Sequence, residues 1–319
     1  MAIIPLRFFP RRPNFRIVPR RRAAYAISIA SALAALAAAI VIGLNLGIDF
    51  RGGALIEARF PAQPEISELR SRVSGLDLGE ITIQEFGEPT DVLIRLQRQS
   101  GDVEDQTAAI EAVKTALGDG ATIRRTEFIG PTVGEELKEA GAIAVVLSII
   151  GIVAYIWFRF EWQFAIAGVA ALVHDVIITI GLFAITGWEF NLSTIAALLT
   201  IAGYSINDTV VVFDRVRENL RRFKQEALES VLNRSINETL SRTTITAGTT
   251  VIALGALAIF GGEVIRSFTL AMIWGILVGT YSSIFVSACL LMHMRDIRQT
   301  RPEPATPGTD LAEAGGEGG

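Results

Sequence analysis

The chain has 319 residues, half of them hydrophobic and only 19% charged, with a mean hydropathy of +0.44 and a formal net charge of −4. Soluble domains carry roughly 25% charged residues, and here the charges are clustered, so a soluble enzyme and a disordered chain are both excluded. One cysteine, Cys289, cannot form an internal disulfide, and two histidines, His174 and His293, cannot build a multi-histidine metal cage. No GxxxxGKS/T phosphate loop is present. The chain is therefore expected to be no enzyme, to hydrolyse no ATP of its own and to need no cofactor or metal.

Residues 1–22 carry seven arginines and no acid, which predicts a basic cytoplasmic arm. Residues 23–46 are uncharged and rich in alanine and isoleucine. That run exceeds the roughly 7–15 apolar residues of a signal-peptide core, so an uncleaved first transmembrane helix is expected. Residues 47–138 hold 17 acidic and 10 basic residues and form a hydrophilic segment of net charge −7. Five further apolar runs follow, at about 140–158, 162–188, 190–213, 243–262 and 267–293. Each meets the roughly 20 residues needed to cross a bilayer. The expected fold is a polytopic α-helical membrane protein of six spans, with 139–295 as a five-helix transmembrane domain.

Arginine and lysine in the short flanks set the orientation. The basic N-terminus, the 214–239 connection with Arg215, Arg217, Arg221, Arg222, Lys224 and Arg234, and a C-terminal end with Arg295, Arg298 and Arg301 all fall on one side. Both termini are thus predicted to be cytoplasmic, in a bacterial inner membrane, with 47–138 periplasmic. Trp157, Trp162 and Trp188 stand at the ends of runs, as interfacial belts require. Residues 296–319 are expected to be a disordered cytoplasmic tail, for 302–319 hold three prolines and five glycines.

In the outer segment, 53–60 alternate as a strand and 65–74 place Ile66, Leu69 and Val73 on one helix face. Residues 81–84 read as a second strand, 87–90 as a turn and 92–96 as a third strand. Asp102 is placed to cap a helix over 103–118, and 121–129 supply a last strand with weak alternation. The order β-α-β-β-α-β predicts a small ferredoxin-like domain between helices 1 and 2. Fold alone assigns it no activity.

Ionisable groups inside a span cost roughly 2.5–3.5 kcal/mol each at the helix centre, and four stand out: His174, Asp175, Asp208 and Arg242. Asp208 shares a face with Tyr204 and Ser205, and Asn207 is its neighbour. It lies in the cytoplasmic half, either as a protonatable carrier or as an interfacial carboxylate that reaches water. Arg242 shares a face with Thr246, Thr249 and Thr250, a polar stripe expected to face a partner helix. It either tunes Asp208 or snorkels to the headgroups. His174 and Asp175 point about 100° apart, so at most one is expected to face a given partner. Together these groups are what a proton path through a membrane requires.

Four strings then carry a resemblance: Gly47–Gly53 (GIDFRGG), Gly130–Leu137 (GPTVGEEL), Gly203–Arg215 (GYSINDTVVVFDR) and Asn237–Thr243 (NETLSRT). In this order they resemble the signatures of the SecF family, subunits of the bacterial SecDF preprotein translocase accessory complex. The resemblance runs from about residue 20 to 295. The sister SecD chains have a much longer outer region and a different aspartate string. The resemblance implies a SecD partner, work beside the SecYEG channel, often with YajC, and a preprotein substrate. Nucleic acid is not among the partners. It also implies use of the proton-motive force as energy source, with a fold like that of the resistance-nodulation-division exporters. It makes Asp208 and Arg242 the proton-relay positions, with Asn207, Asp175 and His174 beside them. Asp49, Arg51, Gly52, Gly53, Gly130, Pro131 and Gly134 become signature positions with structural roles; Gly52 and Gly53 suit positive φ where helix becomes strand. Two rival readings stay open: a proton-driven exporter of small molecules or lipids with the related fold, and a passive scaffold of the translocon.

Overall fold

A computed structural model describes residues 13–294 except 77, 80, 98–102, 119 and 262. The first part of the basic arm, the proposed cap Asp102, and the 296–319 tail with Arg295 before it lie outside the described residues.

The chain enters through a 3-10 turn, Val18–Arg20, into α1 (Arg21–Val41). A short helix, α2 (Ile48–Arg51), leads to β1 (Gly53–Arg59), α3 (Ile66–Ser74), β2 (Ile81–Phe86), β3 (Glu88–Leu96), α4 (Val103–Leu117) and β4 (Thr122–Ile129). Five long helices follow: α5 (Pro131–Arg159), α6 (Trp162–Thr186), α7 (Leu192–Arg222), α8 (Leu228–Phe260) and α9 (Glu263–Ser282). The last continues through a π-helical turn, Ser283–Ser287, to His293. Six helices are long and apolar enough to cross a membrane: Val18–Val41, Thr132–Arg159, Trp162–Thr186, Leu192–Arg222, Leu228–Phe260 and Ile265–His293.

The boundaries differ from the expected ones for identifiable reasons. The first helix stops at Val41, and Gly43 then takes a φ of 81°. Residues 44–47 leave the helix, and Leu46 bridges Phe190 in parallel. The expected 214–239 connection is mostly helix, because α7 runs on to Arg222 and α8 begins at Leu228. At 1.5 Å per residue the 31 residues of α7 extend for about 46 Å, against a hydrocarbon core of about 30 Å, so its charged end projects. That projection is tied: Glu238 accepts from Arg215 at 2.6 Å and from Asn219 at 2.8 Å, and Asn219 also donates to Ser235 at 3.0 Å. The end of the arm is not free either. Asn237 accepts from Phe15 N and donates to Phe15 O, while Asn233 accepts from Ile17 N and Val18 N. Asn237, one of the signature residues, is thus a clip for the N-terminal strap.

Small residues set how closely the helices approach, as is usual where lipid rather than water surrounds a bundle. A Cβ on Gly181 would stand 2.3 Å from Ala35 Cβ, and one on Gly275 would stand 2.3 Å from Ile201. Phe160, Phe164 and Phe213 stack edge to face or tilted at 5.1–5.8 Å between ring centres and fill the bundle at the 160 end.

The outer domain is a four-stranded antiparallel sheet in the order β2-β3-β1-β4, the ferredoxin-like arrangement the element order predicts. Ala54, Ile56, Ala58, Ile83, Val92, Ile94 and Leu96 point to one face and bury Leu69, Val73, Ile110 and Val113 of α3 and α4. The expected four-residue turn at 87–90 is tighter. Gly87, at a φ of 81°, turns the chain alone, and Glu88 already belongs to β3. The weak alternation of 121–129 is that of an edge strand whose residues alternate between exposed and half-buried. Leu55 and Leu93 on the opposite face pack with Ile48 of α2.

Candidate functional site: a polar core between the spans and its outer junction

Two constellations emerge, one inside the bundle and one where the outer domain meets it. In the bundle, Asp175 of α6 is fully buried. Its Oδ2 accepts from Ser205 of α7 at 2.6 Å and from Ser282 of α9 at 2.7 Å, and its Oδ1 lies 2.9 Å from His174 Nδ1. With its proton on Nδ1, the ring donates to that oxygen. Of the two, only Asp175 reaches the serines of α7 and α9, in keeping with the angle between the pair on the helix. The imidazole folds back onto its neighbour and leaves Nε2 buried without a hydrogen bond. Ser282 was not singled out from the sequence. The only signal was a pair of serines, Ser282 and Ser283, inside an apolar run. The π-helical turn begins at once after it, and such turns recur at functional sites.

Asp208 lies three residues beyond Ser205 on the same side of α7, about one turn nearer the Arg222 end. It is only 5% exposed, and its Oδ2 makes no hydrogen bond. The hydroxyls of Tyr204, one turn away, and of Thr243 on α8 are likewise buried without a bond. The expected pairing of Asp208 with Arg242 is not a contact: among the described residues no ion pair within 4.0 Å joins them, and Arg242 is exposed on the outside of α8. Asn207 is also exposed and makes no hydrogen bond among the described residues, so it is no hydrogen-bonding neighbour of Asp208 here. Of the threonine stripe, Thr249 is exposed like Arg242 while Thr246 and Thr250 are half-buried; Thr249 and Thr250 donate back to carbonyls of their own helix, Ile245 at 3.0 Å and Thr246 at 2.9 Å.

At the outer junction the signature residues have separate tasks. Gly52 and Gly53 hold φ values of 71° and 112°, which allow α2 to turn into β1. Gly134 comes within 3.4 Å of Gly52 N, measured from where its Cβ would lie, so the first turn of α5 seats on that corner. Gly130 is the N-cap of α5 and Pro131 its first residue. Asp49 accepts from Leu192 N at 2.8 Å, at the start of α7. Arg51 is exposed. The 187–191 loop completes the junction: Gly47 N donates to Phe190 O, Phe190 N donates to Asn45 O, and Arg95 of β3 pairs with Glu189. Glu189 has no place in the sequence reading, since a loop glutamate carries no periodic signal.

Burial pushes the Glu189 carboxyl above its ordinary value, Arg95 opposes that, and Asp49 and Glu127 add to it. A carboxyl raised in the folded state stabilises most below its unfolded value and loses that contribution as pH rises through its folded one. Relative to Glu189→Gln, the wild-type chain is thus expected to lose thermal stability as pH climbs above about 4.5 and to regain it toward acid. Unfolding midpoints of both proteins from pH 4.5 to 8 check this, and a gap independent of pH rules it out.

The comparisons with known proteins agree with this arrangement. A family model described as "Protein export membrane protein SecD/SecF, C-terminal" matches residues 109–296, and the "SecD/SecF GG Motif" matches residues 38–60. "Protein translocase subunit SecF" of Rickettsia rickettsii is 44% identical over 91% of this chain and 95% of its own. The protein of that name from Desulfurispirillum indicum is 45% identical over 89% and 94%. A crystal structure of SecDF from Thermus thermophilus, described as a translocon-associated membrane protein, aligns with a TM-score of 0.80 at 37% identity over 88% of this chain. A SecDF structure in a super-membrane-facing form aligns with a TM-score of 0.66 at 36% identity over 91%. This chain spans 38% and 39% of those two solved chains. With near-full-length identity to SecF proteins and a six-span bundle carrying an outer ferredoxin-like domain, the chain belongs to the SecD/SecF family of protein export membrane proteins, on its SecF side.

Proposed function

We propose that this chain works with a SecD partner, beside a SecYEG channel and YajC, to draw on the proton-motive force and complete preprotein export, without ATP hydrolysis of its own. Asp208 is the carrier. The observation that carries this reading is its buried Oδ2 without a hydrogen bond, whereas both oxygens of Asp175 are engaged. Three donors fix the Asp175 carboxyl in place, whereas the empty oxygen of Asp208 leaves room for a proton. His174, Asp175 and Ser205 extend the polar line by one turn from Asp208. One proton crossing about 150 mV yields roughly 3.5 kcal/mol, sufficient to bias a two-state motion of the outer domain.

The exposed Arg242, Asn207 and Thr249 fit the same reading. Polar groups on a span face a protein or a water-filled space rather than lipid, and a partner subunit supplies that cover. Arg242 then acts on Asp208 from the edge of a seam between subunits. The arginine distribution supports cytoplasmic termini, a periplasmic 47–138 segment and an inner-membrane location.

The test is outer-side completion of preprotein export in membrane vesicles, wild type against Asp208→Asn, with and without a proton gradient. The gradient is expected to speed completion in wild type only, with the partner complex assembled in both. An equal response in the two makes the carboxylate structural, and the chain is then a passive scaffold.

A further inference from the structure

At the opposite end of the bundle from the outer domain, the end of α5 and the projecting end of α7 flank a cleft of about 550 Å³. It is lined by Arg159, Asp214, Arg217, Glu218, Arg221 and Arg222. We propose that this cleft binds the phosphate of an anionic phospholipid headgroup.

The charges do not balance within the chain. Asp214 is held by Arg159 at 2.6 Å, and Glu218 is held by Arg215 at 2.6 Å. Three guanidinium groups remain. Arg217 reaches Glu161 only at 3.8 Å, its Nε is buried without a hydrogen bond, and one of its terminal nitrogens donates to the Arg159 carbonyl at a long 3.4 Å. Arg222 lies over the Phe223 ring at 5.3 Å, and Arg221 is exposed at the rim without an ion pair among the described residues. Guanidinium forks match the oxygens of a phosphate or a carboxylate, and a buried donor with no acceptor marks where an acceptor belongs.

The surroundings select a lipid over a soluble phosphate. Trp157 is 66% exposed, Phe158 91% and Trp162 49%, and all three lie within a few residues of the cleft on α5 and α6. Exposed aromatic side chains at a helix end sit at headgroup level. Above them Ile143, Val146, Leu147 and Ile150 of α5 are exposed, a surface that acyl chains cover. Basic pockets between spans on the cytoplasmic side are where anionic headgroups dock. Placing the cleft in the inner leaflet rests on the orientation proposed above, but binding itself does not.

Native mass spectrometry of the full chain in detergent tests this, titrating cardiolipin, phosphatidylglycerol, phosphatidylcholine or inorganic phosphate. The anionic lipids are expected to bind about tenfold more tightly than phosphatidylcholine. The Arg217→Gln/Arg221→Gln pair loses that preference, the matching lysine pair retains part of it, and millimolar phosphate does not displace the lipid. If the glutamine pair fails to fold, the exposed Arg221→Gln alone carries the comparison, with a smaller loss. Equal binding of phosphatidylcholine, an unchanged preference in the glutamine variants, or displacement by free phosphate overturns the proposal, the last in favour of a soluble anion. None of these outcomes depends on proton coupling at Asp208.

Discussion

Asp175→Ala is expected to remove roughly 3–5 kcal/mol of stability, the result of leaving several buried donors without their acceptor, whereas Asp208→Asn is expected to cost almost nothing. The difference lies in their partners. Truncating Asp175 leaves His174 Nδ1 and the Ser205 hydroxyl without an acceptor in the bundle interior, each at roughly 1–3 kcal/mol. Ser282 is spared in part, since it also donates to Gly279 O at 3.1 Å. The loss reaches three helices at once, because Asp175, Ser205 and Ser282 come from α6, α7 and α9. The Asp208 Oδ2, by contrast, holds no hydrogen bond that asparagine would forfeit. In detergent the Asp175→Ala unfolding midpoint is expected to fall by roughly 10 °C, at about 2–4 °C per kcal/mol for a chain of this class. The Asp208→Asn midpoint is expected to stay within about 2 °C of wild type. Equal losses in both would show that Asp208 is also a fold determinant, and an export defect in Asp208→Asn would then say nothing about coupling. An unaffected Asp175→Ala would mean that the serines and histidine find other partners.

The parts of this molecule that were legible in the sequence are those with a period or a length. Apolar runs of about 20 residues located the six spans, and alternation at Ile81, Ile83, Val92, Ile94 and Leu96 located β2 and β3. The ends were less legible because charge was read as a stop signal. Residues 214–222 and 228–242 are polar yet helical, since arginine and glutamate are good helix formers and the ion pairs of Arg215 support the projection. Within the core, the four intramembrane ionisable groups were visible as exceptions to composition, but their partners were not. Nothing in one dimension says that Ser205 turns to Asp175 rather than Asp208, or that Ser282, more than a hundred residues from Asp175, completes the cluster. Side-chain direction misled in two places. Arg242 and Asn207 carry polar groups at the right depth, yet both are exposed. At the outer junction the signature glycines were readable as turns, while Glu189 became visible only when Arg95 of the sheet was found against it.

A methyl group at Gly181 is expected to do more damage than one at Gly248, although both glycines lie mid-helix. At Gly181 the added Cβ meets Ala35 Cβ at 2.3 Å and Ala35 Cα at 2.5 Å. Those are atoms of another helix near its backbone, so no rotamer change relieves the clash and α1 must move away from α6. The face that α1 buries consists of Ala24, Ser28, Ala35 and Ala38. These side chains are too short to keep contact across a wider gap, and close approach is what holds helices together in lipid. Overpacking of this kind costs about 1–3 kcal/mol. It also strains residues 44–47, which follow α1 and hydrogen-bond to Phe190 of the 187–191 loop. At Gly248 nothing lies within 4 Å of the built Cβ, so alanine there removes a flexible residue from α8 and is expected to be neutral or to add up to about 1 kcal/mol. Unfolding midpoints of Gly181→Ala and Gly248→Ala in the isolated chain are thus expected to move in opposite directions, or the first to fall while the second stays. If Gly181→Ala is harmless, α1 is not seated on α6 as described, and the outer domain is not positioned through it. If Gly248→Ala is harmful only when the partner complex is assembled, the open face of α8 that carries Arg242 is the surface the partner covers.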